Sequence, residues 1–479
     1  MACDDGGVDD DLAGLGADEL VALVRTQAGQ LEQQRELIEV LRAQVVELQA
    51  TVGDLRARLG QDSSNSSRPP SSDGLKPVPR SLRRGSGRKP GGQPGHAGST
   101  LQTTDSPDRV VDHRPGRCGR CGHDLVGVPA VGFERRQVVD LPPVVPVVVE
   151  HRLHQVACPA CGKTTRAPGP AQVTRQVQHG PRARALMAWL VDAHYLSVSR
   201  CAQAMGEAMG LHVSTGTVQA AADRAAAVLT DRFVPVARDL LRAADVLHAD
   251  ETGFKVAGTL AWAHSVSDPR TTLVDVHAKR GTKAMDQIGV LPGFTGTLVH
   301  DAWAPYDTYT SIGAHQLCCA HVLRELRAVV DRHAHPAGAW CWAAQVADAL
   351  STIIADPATL TDGRRLIRSA LAAADQDPDP PGKTGTKHAA LRRRLTAREP
   401  DYLRFATDPA VPATNNAAEQ EIRTVKIKHK ITGGMRTLAG ARRFAAMRSY
   451  QSTARKHHIP PLQAIATLFT DDPWLPAAP

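Results

Sequence analysis

Three acidic residues stand where their side chains could do chemistry. Asp250 follows the apolar Val246 and Leu247 in VLHADETGFKV, Asp301 closes the apolar run in GTLVHDAW, and Glu419 opens a helical pattern in TNNAAEQEIR. Burying an unpaired carboxylate is costly, so such acids are paired, solvent-facing or holding a cation. Asp250 and Asp301 read as the ends of strands, and acids at the ends of adjacent strands can converge on one sheet edge. A glutamate at the start of a helix can lean over the same edge. Three carboxylates in one pocket cannot all stay ionised without a cation, and hard divalent ions such as magnesium suit carboxylate and water ligands. Two such ions about 3.5–4 Å apart would stabilise the attacking and leaving oxygens of a phosphodiester. The plain alternative is that the aspartates form turns. Glu421 is a rival third acid, but two positions along a helix it points about 200° away from Glu419.

A second constellation is sulfur. Four of the nine cysteines form two C-x-x-C pairs, Cys118 with Cys121 in CGRCGHDL and Cys158 with Cys161 in CPACGK. Each pair presents two thiolates on a tight turn, and together they make a tetrahedral zinc site with no open position for catalysis. A redox dithiol is the competing reading. The stretch between them, RRQVVDLPPVVPVVVEHRLHQVAC, reads as a hairpin or meander.

The elements that must position these groups can be read from the pattern. After Asp245 three short apolar runs, a helix and a further strand describe a mixed sheet with helices on it. From about Ala328 to Asp408 the chain reads as helical. Upstream, LSVSRCAQAMGEAMG and LHVSTGTVQAAADRAAAVL outline two helices with a turn at Gly210 and an N-cap at Ser214, as in a helix-turn-helix with Gln219 and Arg224 as readers. Nearer the start, Val24, Leu31, Ile38, Leu41, Val45, Leu48, Val52, Leu55 and Leu59 keep a heptad spacing, which predicts a coiled coil.

Between heptad and cysteines runs a Ser/Pro/Gly-rich basic stretch too poor in apolar residues to fold alone. Its segment from Arg68 to Lys89 holds seven Lys or Arg against one acid, Asp73, within a chain of net charge +8. Such bias favours a polyanion, and GRKPGGQPGH could follow a phosphate backbone. Arg423, Lys426, Lys428 and Lys430 in RTVKIKHK could hold flanking phosphates. The opening MACDDGGVDDD lacks the features of a signal peptide, and nowhere do eighteen apolar residues run together without charge. The expectation is a soluble cytoplasmic, nucleoid-associated protein with no membrane partner.

HADETGF, LVHDAWAPY and TNNAAEQEIR, with LGQDSSNSSRPPSSD and GRKPGGQPGH upstream, resemble in order the transposases of the insertion sequence 66 family. The resemblance implies a DDE transposase: a ribonuclease-H-like catalytic domain with a helical insertion, in which Asp250, Asp301 and Glu419 hold magnesium (two ions, or manganese). Cys318 and His321 in CCAHVLREL match a C-x-x-H element of several DDE families, with a packing or hydrogen-bonding role expected. Gln420 departs from the family, where arginine is frequent. The expected fold is multidomain α/β. Its units are a coiled coil (15–60), a basic linker (61–105), a zinc ribbon (106–172), a helical DNA-binding region (173–240), the catalytic domain (241–327 and 409–470) and the insertion (328–408). Expected partners are double-stranded DNA, as transposon ends and target, a second copy through the coiled coil, and accessory proteins of the same element. A non-catalytic DNA-binding regulator and an inactive remnant are the alternatives.

Overall fold

The computed structural model describes residues 16–59, 95, 98, 100–332, 340–377, 379 and 382–477, so most of the linker, including GRKPGGQPGH apart from Gly95, lies outside the described residues. The heptad segment is one helix, α1 (Ala17–Leu59). Its seam is bare, with Val24, Ile38 and Leu48 all about half exposed or more.

Each cysteine pair sits on a tight turn. Gly122 and Gly162 adopt left-handed backbones just past Cys121 and Cys161, letting their N–H groups donate to the Cys118 and Cys158 carbonyls at 2.9 and 2.8 Å. The second turn joins β1 (Gln155–Ala157) to β2 (Thr164–Arg166) in an antiparallel pair. The predicted meander between the knuckles is not there: residues 132–154 form no strand. Pro142, Pro143 and Pro146 supply no N–H to a ladder, and valines such as Val138 and Val147 stand almost fully exposed.

Helices follow: α2 (Pro181–Asp192), α3 (Val198–Met209), α4 (Thr215–Val228) and, after a short π segment, α5 (Val234–Arg242). The expected turn is present. Gly210 ends α3 in the left-handed region and the Ser214 hydroxyl accepts from Thr217 N–H. These helices close no core of their own. Met187, Val218 and Phe233 pack with Met447, Tyr450 and Ile465 from the far end of the chain.

The central sheet has five strands: β3 (Val246–Val256), β4 (Thr259–Ser267), β5 (Thr272–His277), β6 (Thr297–His300) and β7 (Ala314–Leu317), with α6 (Thr282–Ile288) between β5 and β6. Their order is β5-β4-β3-β6-β7. β3, β4 and β5 form an antiparallel meander, whereas β6 and β7 run parallel to β3. Ala257 and Gly258, both with positive φ, make the two-residue turn from β3 to β4.

Both faces are covered. Leu247, Ala249 and Leu298 pack against Met285, Ile288 and Phe294 on one face. Phe254, Val256 and Ala263 pack on the other against α12 (Asn416–Thr432) and α13 (Leu438–Lys456), through Val425 and Phe444. The last helix, α14 (Pro461–Thr467), returns to α2. Between β7 and α12 lies a helical unit of α7 (Cys319–Arg332), α8 (Trp342–Ala355), α9 (Leu360–Ala372), α10 (Lys383–Ala397) and α11 (Glu399–Leu403). Its own core is built on Leu326, Trp342, Leu350 and Leu403.

Candidate active site

Asp250 does not end its strand, as expected, but lies in the middle of the eleven-residue β3. What ends there is the pairing with β6, which runs only from Val246 with Thr297 to His248 with Val299. Continuing that parallel register by two residues sets Asp250 beside Asp301, the first residue past β6. Side chains alternate along a strand. Leu247, Ala249 and Leu298 face α6, so Asp250 and Asp301 face the side covered by α12.

Glu419 is in the first turn of α12. Its approach to β3 is set by Asn415, which is wholly buried. Asn415 Nδ2 donates to the Ala249 carbonyl at 2.7 Å, and its Oδ1 lies 3.0 Å from His248 Nδ1, which must carry the proton because an amide oxygen only accepts. Its backbone N–H donates to Cys318 Sγ at 3.2 Å, tying α12 to the start of α7. On the sequence Asn415 is only half of an asparagine pair, with no local signal of a part in the site.

The electrostatics record the convergence. Asp250 is held well above the ordinary carboxylate range by burial first, then by the charges of Glu251, Asp301 and Glu419. Burial raises Asp301, and it raises Glu419 with help from the Asp301 charge. Arg324 and Arg423 pull Glu419 back, while Lys426 on the next turns of α12 feels Asp250. Glu419 Oε1 is buried without a hydrogen-bond partner. Half-buried, mutually repelling carboxylates with an unused oxygen suit a divalent cation. Asp301 Oδ1 accepts from Trp303 N–H at 3.0 Å across Ala302, whose φ of 69° is unusual for a residue with a Cβ.

Glu251, next to Asp250 on β3, faces the opposite side. Its carboxylate takes Arg280 at 2.6 Å and the Tyr306 hydroxyl at 2.6 Å, with Arg280 stacked between Trp262 and Trp303. Glu421 stays away from the site as expected: it is buried against Ser452 and Arg448, the latter at 3.4 Å.

The basic stretch divides. Arg423 and Lys430 are exposed and Lys426 is half-buried. Lys428 is not available to phosphate: it lies 3.7 Å from the buried Asp192 and against the Tyr195 and Phe444 rings. In α4, Gln219 is engaged with Asp223 at 2.9 Å, whereas Arg224 is exposed.

Each cysteine knuckle favours thiolates. Cys118 is lowered by the backbone N–H groups of Arg120 and Cys121, and Cys158 by those of Ala160 and Cys161. The two knuckles, thus alike, suit zinc, though the four sulfurs are not gathered within 4.8 Å of one another. Cys318 and His321 come together with Glu419.

Acids so gathered suit a cation, and Arg423 and Lys430, exposed on the helix beside them, suit a polyanion; the class so defined is that of DNA-processing enzymes. The chain belongs to one family within it. The model described as the Transposase IS66 family matches residues 176–443, more than half the chain and inclusive of all three acids. The zinc-finger binding domain of the same transposase matches residues 115–162, which hold all four knuckle cysteines and support structural zinc. A family of unknown function matches residues 18–102. No curated protein matches the chain. No helix among the described residues is long and apolar enough to cross a membrane.

Proposed function

We propose that this transposase cuts the phosphodiester at the ends of its element and joins the freed 3′-hydroxyl to target DNA, with Asp250, Asp301 and Glu419 as the ligands of two magnesium (or manganese) ions. The strand order, an antiparallel meander followed by two parallel strands, is that expected of a ribonuclease-H-like domain, with α7–α11 inserted before the glutamate. The observation that carries the reading is that the continued β3–β6 register sets Asp250 beside Asp301, while Asn415, four residues before Glu419, is hydrogen-bonded to Ala249 next to Asp250. When bound, magnesium supplies Lewis-acid stabilisation of the attacking and leaving oxygens. The chain's own residues do the rest. Asn415 holds α12 against β3, Trp303 N–H orients Asp301, and Arg423, Lys426 and Lys430 offer charge to the DNA backbone.

Cys118, Cys121, Cys158 and Cys161 close on one structural zinc, and the bare seam of α1 pairs with a second copy, which suits an enzyme that must hold two DNA ends. The basic linker follows the phosphate backbone, and accessory proteins of the same element join the assembly. The test is magnesium-dependent 3′-end cleavage and strand transfer on the element's own ends by wild type, Asp301→Asn and Glu419→Gln. Loss in both variants with DNA binding retained supports the reading; full activity in either shows that the wrong acids carry it. An inactive wild type that still binds the ends would favour the regulator or remnant.

A further inference from the structure

Beside the acid pair, Cys318, His321 and Glu419 bring three chemically different ligand atoms within 4.8 Å of one another. Cys318 directly precedes α7 and His321 lies three residues on in its first turn, so both face the first turn of α12. His321 Nδ1 is 3.6 Å from Glu419 Oε1, and both atoms are buried with no hydrogen-bond partner. A tetrahedral ion bound at about 2.0–2.2 Å to nitrogen and oxygen spans an N···O edge of about 3.4 Å, close to that separation. The arrangement is therefore one small contraction away from a three-ligand site of one sulfur, one nitrogen and one oxygen, with the fourth position left to water.

We propose that Cys318, His321 and Glu419 form a separate site for a soft or borderline divalent ion of the zinc type, and that filling it withdraws Glu419 from the acid cluster. Magnesium is a poor competitor there, because it demands oxygen ligands in octahedral array while a thiolate selects softer ions. On binding, the Cys318 thiol releases its proton to solvent and a sulfur–metal bond forms; no electrons are transferred. Arg324, now 3.7 Å from Glu419 Oε1, gives up that contact to the ion. The metal site stands on its own geometry, whereas its inhibitory consequence rests on the catalytic role proposed for Glu419.

The test titrates Co2+ into the full chain with the cysteine knuckles already loaded with zinc. One further equivalent is expected to bind with visible d–d bands and a thiolate-to-cobalt charge-transfer band, and excess Mg2+ leaves it in place. Cys318→Ser removes the charge-transfer band, and His321→Gln weakens binding at least about tenfold, with circular dichroism checking that both variants fold. Asp301→Asn leaves the cobalt signal unchanged. No further equivalent, or a band that persists in both Cys318→Ser and His321→Gln, overturns the site. In the cleavage assay zinc suppresses wild-type activity, a chelator restores it, and Cys318→Ser is less sensitive. Cobalt binding together with no cleavage under any condition overturns the catalytic reading and leaves the metal site standing.

Discussion

Replacing Asp301 with asparagine should make the metal-free protein more stable and at the same time inactive. The shape survives, because Asn Oδ1 can still accept from Trp303 N–H. What disappears is a charge. The continued β3–β6 register puts Asp301 beside Asp250 on neighbouring strands, which lie about 4.8 Å apart. Two unit charges about 5 Å apart at an effective dielectric of about 20 repel by about 3 kcal/mol. Proton uptake already relieves part of this, since Asp250, Asp301 and Glu419 all sit above their ordinary values. The expected gain is therefore about 1–3 kcal/mol at mildly alkaline pH.

The pH dependence follows in sign. A carboxyl whose folded pKa is raised binds protons more tightly in the folded state, so stability falls as pH climbs from the ordinary carboxylate value through the raised one. Metal-free wild type should lose stability over that window, and Asp301→Asn should flatten the slope. Magnesium at about a hundredfold its dissociation constant should restore about 2.7 kcal/mol to wild type and much less to the variant. Urea unfolding with chelator or with Mg2+ reads all of this. A variant less stable than wild type without metal, or one that Mg2+ stabilises equally, refutes the reasoning.

Asn415→Ala leaves the Ala249 carbonyl and His248 Nδ1 without their partner, at about 1–3 kcal/mol each; cleavage should fall further than the folded fraction does, as comparison of kcat with urea midpoints will show. Glu421→Gln strips Arg448 of its buried partner and should cost up to about 3 kcal/mol, yet the folded fraction should cleave at a rate near wild type. Lys428→Met should destabilise by leaving Asp192 buried without its nearest cation, and DNA affinity per folded molecule should hold. Arg423→Ala, by contrast, should lower the salt slope of DNA binding by about one. Cys158→Ser should lose zinc by elemental analysis of the purified protein; stoichiometric zinc in that variant would exclude the four-thiolate site.

What was legible in the sequence was whatever has a short period or a fixed local spacing. The C-x-x-C turns, the helical run of α1, the Gly210 turn and the Ser214 cap each depend on residues within a few positions of one another, and each appears as expected. The valine run between the knuckles misled for the same reason. Alternation and β-branching suggest strands, but three prolines withhold the hydrogen bonds a ladder needs. Lys428 misled because charge reads as exposure until its helix face is known. On α12 the 419, 423, 426 and 430 positions turn toward the acids and solvent, whereas Lys428 meets the aromatic rings on α13 and ahead of α3.

Local pattern made the acids legible as types, and only the family resemblance made them legible as a site. Nothing local says that Asp250 rather than Glu251 meets Asp301. That follows from strand parity and from a register shared with a strand some fifty residues later, with Val246 opposite Thr297. Asn415 lies deeper still. Its three contacts reach 166, 167 and 97 residues back along the chain, to Ala249, His248 and Cys318. A residue whose side chain and backbone N–H together join β3, the start of α7 and α12 at one buried point has no periodicity to announce it. Its worth lies in making the distance between Asp250 and Glu419 a property of the whole fold, so a truncation there should be felt at both acids before it is felt anywhere else.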